Sequence, residues 1–161
     1  MVPEETGTGD RVKEDFMFEI KDCKDYEAAK KLIREYSQIK GAESCFVSLD
    51  KELSDLASFY DGGALLMGYE DDIPIATIAI KKINDTQCEI RRLYISPGYR
   101  SRGYARLMMN AILERSRKSG FREAVFSTKP DVMPVAYSLY KKMGFEETEN
   151  KNGTVYMRMS L

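Results

Sequence analysis

Hydrophobic positions along this chain change period several times, and each change predicts an element. Tyr26, Ala29, Leu32, Ile33, Tyr36 and Ile39 recur at steps of three and four, which lays one apolar stripe along a helix. Asp22 or Asp25 can start that helix and Gly41 can stop it. Before it, Phe16 to Ile20 alternates as a strand does. Leu49, Leu53, Leu56 and Tyr60 predict a second, short helix closed by Gly62 and Gly63. Strands follow over 64–69, 73–83 and 87–95, with tight turns at Glu70-Asp71-Asp72 and Asn84-Asp85-Thr86. The helical period then returns over 104–118, with Leu107, Met108, Ala111 and Ile112 on neighbouring turns and Gly120 beyond the end. A strand over 122–128 precedes a helix over 131–143, with Pro134 in its first turn and Gly144 as its stop. Two last strands, 145–149 and 154–159, flank Asn152-Gly153, a hairpin signal. The order β α α β β β α β α β β predicts an α/β (α+β) domain over 16–161, with about seven strands and four helices. Residues 1–15 are polar and show neither period, so a flexible tail is expected there.

Composition narrows the chemistry. The 161 residues contain no His, which excludes His-based triads, HExxH zinc sites and His-ligated haem. Any proton transfer falls to carboxylate, Tyr, Cys, Lys, backbone or water. Cys23, Cys45 and Cys88 are widely spaced and form no CxxC, the pattern of a reduced protein without a zinc site. No apolar run is long enough for a membrane span. The expected location is the cytoplasm, with no metal, no membrane and no nucleic-acid partner.

Net charge is −1, but it is unevenly distributed. Residues 1–80 hold 9 Lys+Arg against 18 Asp+Glu, and residues 81–161 hold 16 against 8. Two kinds of ligand would suit the halves, one cationic and one anionic. Uneven surface charge is the simpler alternative.

The anionic ligand has a candidate seat. A strand ends at Ile95, Pro97-Gly98 turns the chain, and a helix starts near Gly103. Unpaired N–H groups and the macrodipole at a helix start hold phosphate oxygens. Gly103 permits close approach, Ala105 keeps the first turn small, and Arg100, Arg102 and Arg106 add charge. The segment is neither a P-loop nor a GxGxxG. Tyr140 lies on the stripe of Ala136 and Met143 and should point inward, which also suits a plain core tyrosine.

These two segments together resemble the GNAT-type N-acetyltransferases, which use acetyl-coenzyme A. Arg100, Gly103 and Ala105 match that superfamily's Arg/Gln-x-x-Gly-x-Gly/Ala loop. Leu139, Tyr140, Gly144 and Phe145 match its Leu-Tyr-x-x-x-Gly-Phe ending of the late helix. The element order agrees over about residues 16–160. The resemblance implies a mixed, mostly antiparallel sheet flanked by helices, and transfer of an acetyl group to a primary amine within a ternary complex.

It also implies roles. Leu93, Tyr94 and Ile95 would pair with the pantetheine arm and orient the acetyl carbonyl. Arg100, Ser101, Arg102, Gly103, Tyr104, Ala105 and Arg106 would hold the pyrophosphate. Thr128 and Met133 would line the cofactor. Many members carry Asn where this chain has Met133, so that contact with the arm is altered. Glu89 takes the place of the base that works through water, and Tyr140 that of the proton donor to the leaving thiolate. Glu89 could instead be a strand carboxylate paired with Arg91 or Lys81. The acceptor would be a small molecule or peptide amine. Glu35, Glu43, Asp50, Glu52, Asp55 and Asp61 suggest that it is cationic. A monomer or homodimer is expected. A non-catalytic acyl-coenzyme A sensor on the same fold is the alternative.

Overall fold

The computed structural model describes residues 17–161. The expected tail and the start of the first strand at Phe16 lie outside them.

The strands are β1 (Phe18–Asp22), β2 (Ala64–Glu70), β3 (Ile73–Lys82), β4 (Gln87–Ile95), β5 (Glu123–Thr128), β6 (Glu146–Lys151) and β7 (Thr154–Ser160). They form one sheet in the order β1-β2-β3-β4-β5-β7-β6. Every neighbouring pair is antiparallel except β4 and β5. The two predicted turns make β2, β3 and β4 an antiparallel meander, and β1 pairs with β2 from across the early helices. The parallel step to β5 needs a crossover, which α4 (Tyr104–Lys118) supplies.

The two faces carry separate cores. On one, Leu32 and Ile33 of α1 (Tyr26–Ser37), Leu53 of α2 (Leu49–Ser54) and Leu56 of α3 (Leu56–Phe59) cover Leu65, Met67, Ala79 and Tyr94. On the other, Met108, Met109 and Ile112 of α4 and Tyr140 of α5 (Pro134–Lys142) cover Ile78, Ile80, Cys88, Ile90 and Phe126. Each fully buried Leu, Ile or Met contributes about 1.5–3 kcal/mol. Backbones approach closely where the chain passes from α3 into β2: a Cβ on Gly63 would sit 1.9 Å from the Ile80 carbonyl oxygen of β3.

Local chemistry sets the helix ends. Asp25, the second of the two expected starts, caps α1 by accepting from the Ala28 N–H at 3.1 Å. Asp25→Ala is expected to cost about 1 kcal/mol, read as a lower urea midpoint at unchanged m-value. The expected second helix is two helices. Asp55 is extended between them and accepts from Ser58 N at 3.1 Å, so it starts α3 instead of continuing α2. The last helix begins at Pro134 and not at Asp131, because a residue before proline is pushed out of the helical region and Met133 is extended.

Candidate active site

The site grows from the one parallel pairing. β4 and β5 are in register over three residue pairs, the last being Glu89 with Val125. Beyond it β5 stays with β7 as far as Thr128, while β4 runs on beside β3 to Ile95. The β5-facing edge of β4 is left without a strand partner past Glu89, and a gap opens between the two strands.

Within that stretch β4 bulges. Ala79 faces Arg91 but Thr77 faces Tyr94, so β4 holds one residue more than β3 between these pairs. Arg92 is the extra residue, with φ +63. A bulge reverses the alternation of faces. Cys88 and Ile90 accordingly belong to the α4-side core, whereas Tyr94 belongs to the α1-side core. Leu93 packs toward the α4 side. The expected carbonyl-orienting residues Leu93, Tyr94 and Ile95 therefore lie on the unpaired edge, just past the bulge.

The gap leads to the start of α4. Gly103 has φ +82, and a Cβ placed there would meet nothing within 4 Å. No side chain caps this helix. Its first backbone bond runs from the Leu107 N–H to the Gly103 carbonyl. The N–H groups of Tyr104, Ala105 and Arg106 thus precede the helical ladder and are suited to an anion. Ser101, also at positive φ (+66), helps aim the loop backbone.

Two of the three arginines have partners within the protein. Arg100 Nε donates to the Ile95 carbonyl at 2.7 Å, which fastens the loop to the end of β4. Arg102 pairs with Glu70 of β2, and the Tyr104 hydroxyl donates to the same carboxylate at 2.5 Å. Glu70 is buried, and a buried carboxylate needs such partners. Arg106 is exposed and, among the described residues, has neither an ion pair nor a side-chain hydrogen bond. Backbone N–H groups, with Arg106 beside them, are what this point offers an anion.

Glu89 and Tyr140 flank the gap from opposite faces. The Glu89 carboxylate is partly exposed and lies 3.9 Å from Arg91, too far for a hydrogen bond. Lys81, its cross-strand neighbour, turns away to the Phe59 carbonyl at 2.7 Å. Glu89 opens into a cleft of about 340 Å³ bordered by Val125, Ser127, Tyr156 and Arg158. Cys88 points the other way, toward Ser116. Tyr140 is buried, its ring edge-on to Phe126 at 4.5 Å. Burial, with a smaller effect of the nearby Tyr36, pushes its hydroxyl well above the usual tyrosine value. Among the described residues that hydroxyl has no hydrogen-bond partner. Thr128 is buried at the end of β5, opposite Val155. Met133 accepts a long contact, 3.8 Å, from the Tyr36 hydroxyl, so this position presents a sulfur where an amide would offer hydrogen bonds.

Several acidic side chains of the first half have other tasks. Glu52 is buried against Arg92 and Tyr60. Asp55 caps α3, Glu43 accepts from the Gly41 N–H, and Glu35 accepts from the Tyr94 hydroxyl. Asp50 and Asp61 are exposed. Glu52 was legible as unusual, since it shares the apolar stripe of Leu49, Leu53 and Leu56. Its partner was not, because Arg92 lies 40 residues away.

No cluster of three or more potential metal ligands occurs among the described residues, and none of their helices is long and apolar enough to cross a membrane. The chain is 29% identical over 151 residues to an uncharacterized N-acetyltransferase of Schizosaccharomyces pombe, covering 88% of this chain and 92% of that one. An acetyltransferase of Streptococcus agalactiae superposes with a TM-score of 0.75 at 18% identity, over 89% of this chain and 98% of that one. The PaiA N-acetyltransferase of Thermoplasma acidophilum, solved in complex with coenzyme A, gives 0.74 at 18% identity, over 90% and 99%. The overall fold is thus shared with these acetyltransferases. The sequence model of the acetyltransferase (GNAT) family matches residues 26–145, and the chain belongs to that family.

Proposed function

We propose that the protein transfers an acetyl group from acetyl-coenzyme A to a primary amine, by direct attack in a ternary complex. The observation that carries this reading is the parting of β4 from β5 beyond the Glu89–Val125 pair, with Glu89 lining a cleft at that last shared pair and the free end of β4 leading through one short loop to the uncapped start of α4. The N–H groups at 104–106 would hold the pyrophosphate, and the open space at Gly103 lets it reach them. The pantetheine arm would lie along the unpaired edge of β4. There its amides can complete hydrogen bonds that β5 does not, and a backbone N–H just past the bulge can stabilise the oxyanion.

An alkylamine has a pKa near 10 and arrives protonated. Glu89 would take its proton through water, freeing the nitrogen lone pair to attack the thioester carbon. The new C–N bond forms, the C–S bond breaks, and the thiolate takes a proton from Tyr140; the nitrogen's second proton leaves through water and returns Tyr140 to its neutral form. A tyrosine is protonated at neutral pH, as a donor must be, and burial pushes Tyr140 further in that direction. Holding both substrates in one gap supplies much of the rate.

The test is release of free thiol from acetyl-coenzyme A across a panel of cationic, neutral and acidic amines. Turnover of at least one amine is expected. Cofactor binding without thiol release from any of them would favour the acyl-coenzyme A sensor instead. Glu89→Gln is expected to lower kcat/KM about 10²-fold and to flatten the acid limb of its pH profile. A variant profile that keeps the parent's acid limb would clear Glu89 of the role.

A further inference from the structure

A buried ion pair joins α2 to the strand that would orient the thioester. Glu52 of α2 is fully buried and Arg92 of β4 nearly so. Glu52 Oε1 accepts from one terminal guanidinium nitrogen at 2.5 Å, and Oε2 accepts from Arg92 Nε at 2.8 Å. The Tyr60 hydroxyl donates to Oε2 at 2.6 Å. The other terminal nitrogen donates to the Cys45 carbonyl at 3.2 Å, and the guanidinium lies 4.3 Å from the Phe46 ring centre. Every hydrogen-bonding part of the Arg92 side chain is thereby engaged by residues of the 45–60 stretch.

Such a pair is a poor way to add stability. Both ions lose their water, and apolar side chains of the same volume commonly do as well. A bidentate pair instead fixes direction. The residue it fixes is the bulge residue, whose φ of +63 a non-glycine adopts only when its surroundings impose it. The Arg92 carbonyl is also held, by Thr77 Oγ1 at 2.8 Å. The next residues are Leu93, Tyr94 and Ile95.

We propose that Glu52 and Arg92 are positioning residues for acetyl transfer: their ion pair locks the β4 bulge so that backbone N–H groups in the 93–95 segment meet the acetyl carbonyl oxygen. The proposal rests on the acetyl-transfer reading above. It makes α2, which carries no expected cofactor contact, part of the transfer machinery.

The experiment is isotope-edited infrared spectroscopy of acetyl-coenzyme A labelled with ¹³C at the thioester carbonyl and bound to the full chain. In the parent the carbonyl band is expected at lower frequency than in free acetyl-coenzyme A, because strong hydrogen bonds weaken the C=O bond. Glu52→Gln alone would strand a buried cation and threaten folding. The Glu52→Gln/Arg92→Gly double variant leaves neither charge, and glycine takes positive φ freely. It is expected to bind coenzyme A as the parent does, while its carbonyl band returns to the free position and its preference for acetyl-coenzyme A over coenzyme A disappears. Tyr60→Phe, which removes one donor to Glu52, should move the band part of the way. A parent-like band in both variants would overturn the proposal alone. A parent protein that binds no acetyl-coenzyme A would overturn the acetyl-transfer reading and this proposal together.

Discussion

Gly103→Glu is expected to abolish the rise in melting temperature that acetyl-coenzyme A gives the parent. At ligand near 100 times its Kd, binding stabilises by about 2.7 kcal/mol, which for a chain of this size is a rise of roughly 5–10 °C. The substitution acts twice at one point. It sets a side chain at φ +82, where a non-glycine is strained, and it brings a carboxylate to N–H groups that would otherwise bind phosphate. Space does not limit the change, since a Cβ at Gly103 meets nothing within 4 Å. The side chain would therefore occupy the open region that the ligand needs. Backbone strain alone lowers the unliganded melting point, so each protein is compared with its own unliganded state. Gly103→Ala separates the two effects, because it carries the strain without the charge, and it should keep part of the shift. A full shift in Gly103→Glu would remove the start of α4 from the binding site.

Tyr140→Phe is expected to lower turnover about 10²-fold while leaving the affinity for acetyl-coenzyme A nearly unchanged. The ring carries the packing, edge-on to Phe126 at 4.5 Å, and phenylalanine preserves it. The hydroxyl has no partner among the described residues. A buried donor in that state costs about 1–3 kcal/mol, so removing it should not destabilise the fold and can raise the melting point slightly. A core tyrosine without a catalytic role would show the same stability and the same turnover as its Phe variant. Only proton donation to the departing thiolate predicts a fall in kcat at constant binding, measured with an amine that the panel identifies. Equal turnover in variant and parent would return Tyr140 to the core.

Much of the architecture was legible because its causes are local. The three-and-four spacing from Tyr26 to Ile39 became α1, and the β-branched run from Ile73 became a central strand of the sheet. Asn152-Gly153 became the turn between β6 and β7, with both residues at positive φ. Gly103 and Ala105 mark the start of α4, because an uncapped helix start depends on only a few consecutive residues. Elements also failed locally. Asp55 accepts from its own neighbour Ser58 and broke a helix that the apolar stripe alone predicted to be continuous.

The charges were legible as a census but not as a map. The acidic first half suggested a cationic acceptor and the basic second half a phosphate. In the fold, Glu52 meets Arg92 at a separation of 40 residues and Glu70 meets Arg102 at a separation of 32. Each of these pairs joins the acidic half to the basic half.

By itself the sequence determined the order of strands and helices, the glycine turn at Gly103 that opens α4 and the absence of histidine from the chemistry. These follow from residue type and from periods only a few residues long. The tertiary structure alone decided which charges face each other and which face solvent. It also decided that β4 bulges at Arg92 and parts from β5 at Glu89. The physical reason is that a buried charge is stable only beside its counter-charge, and the fold chooses that neighbour from far along the chain.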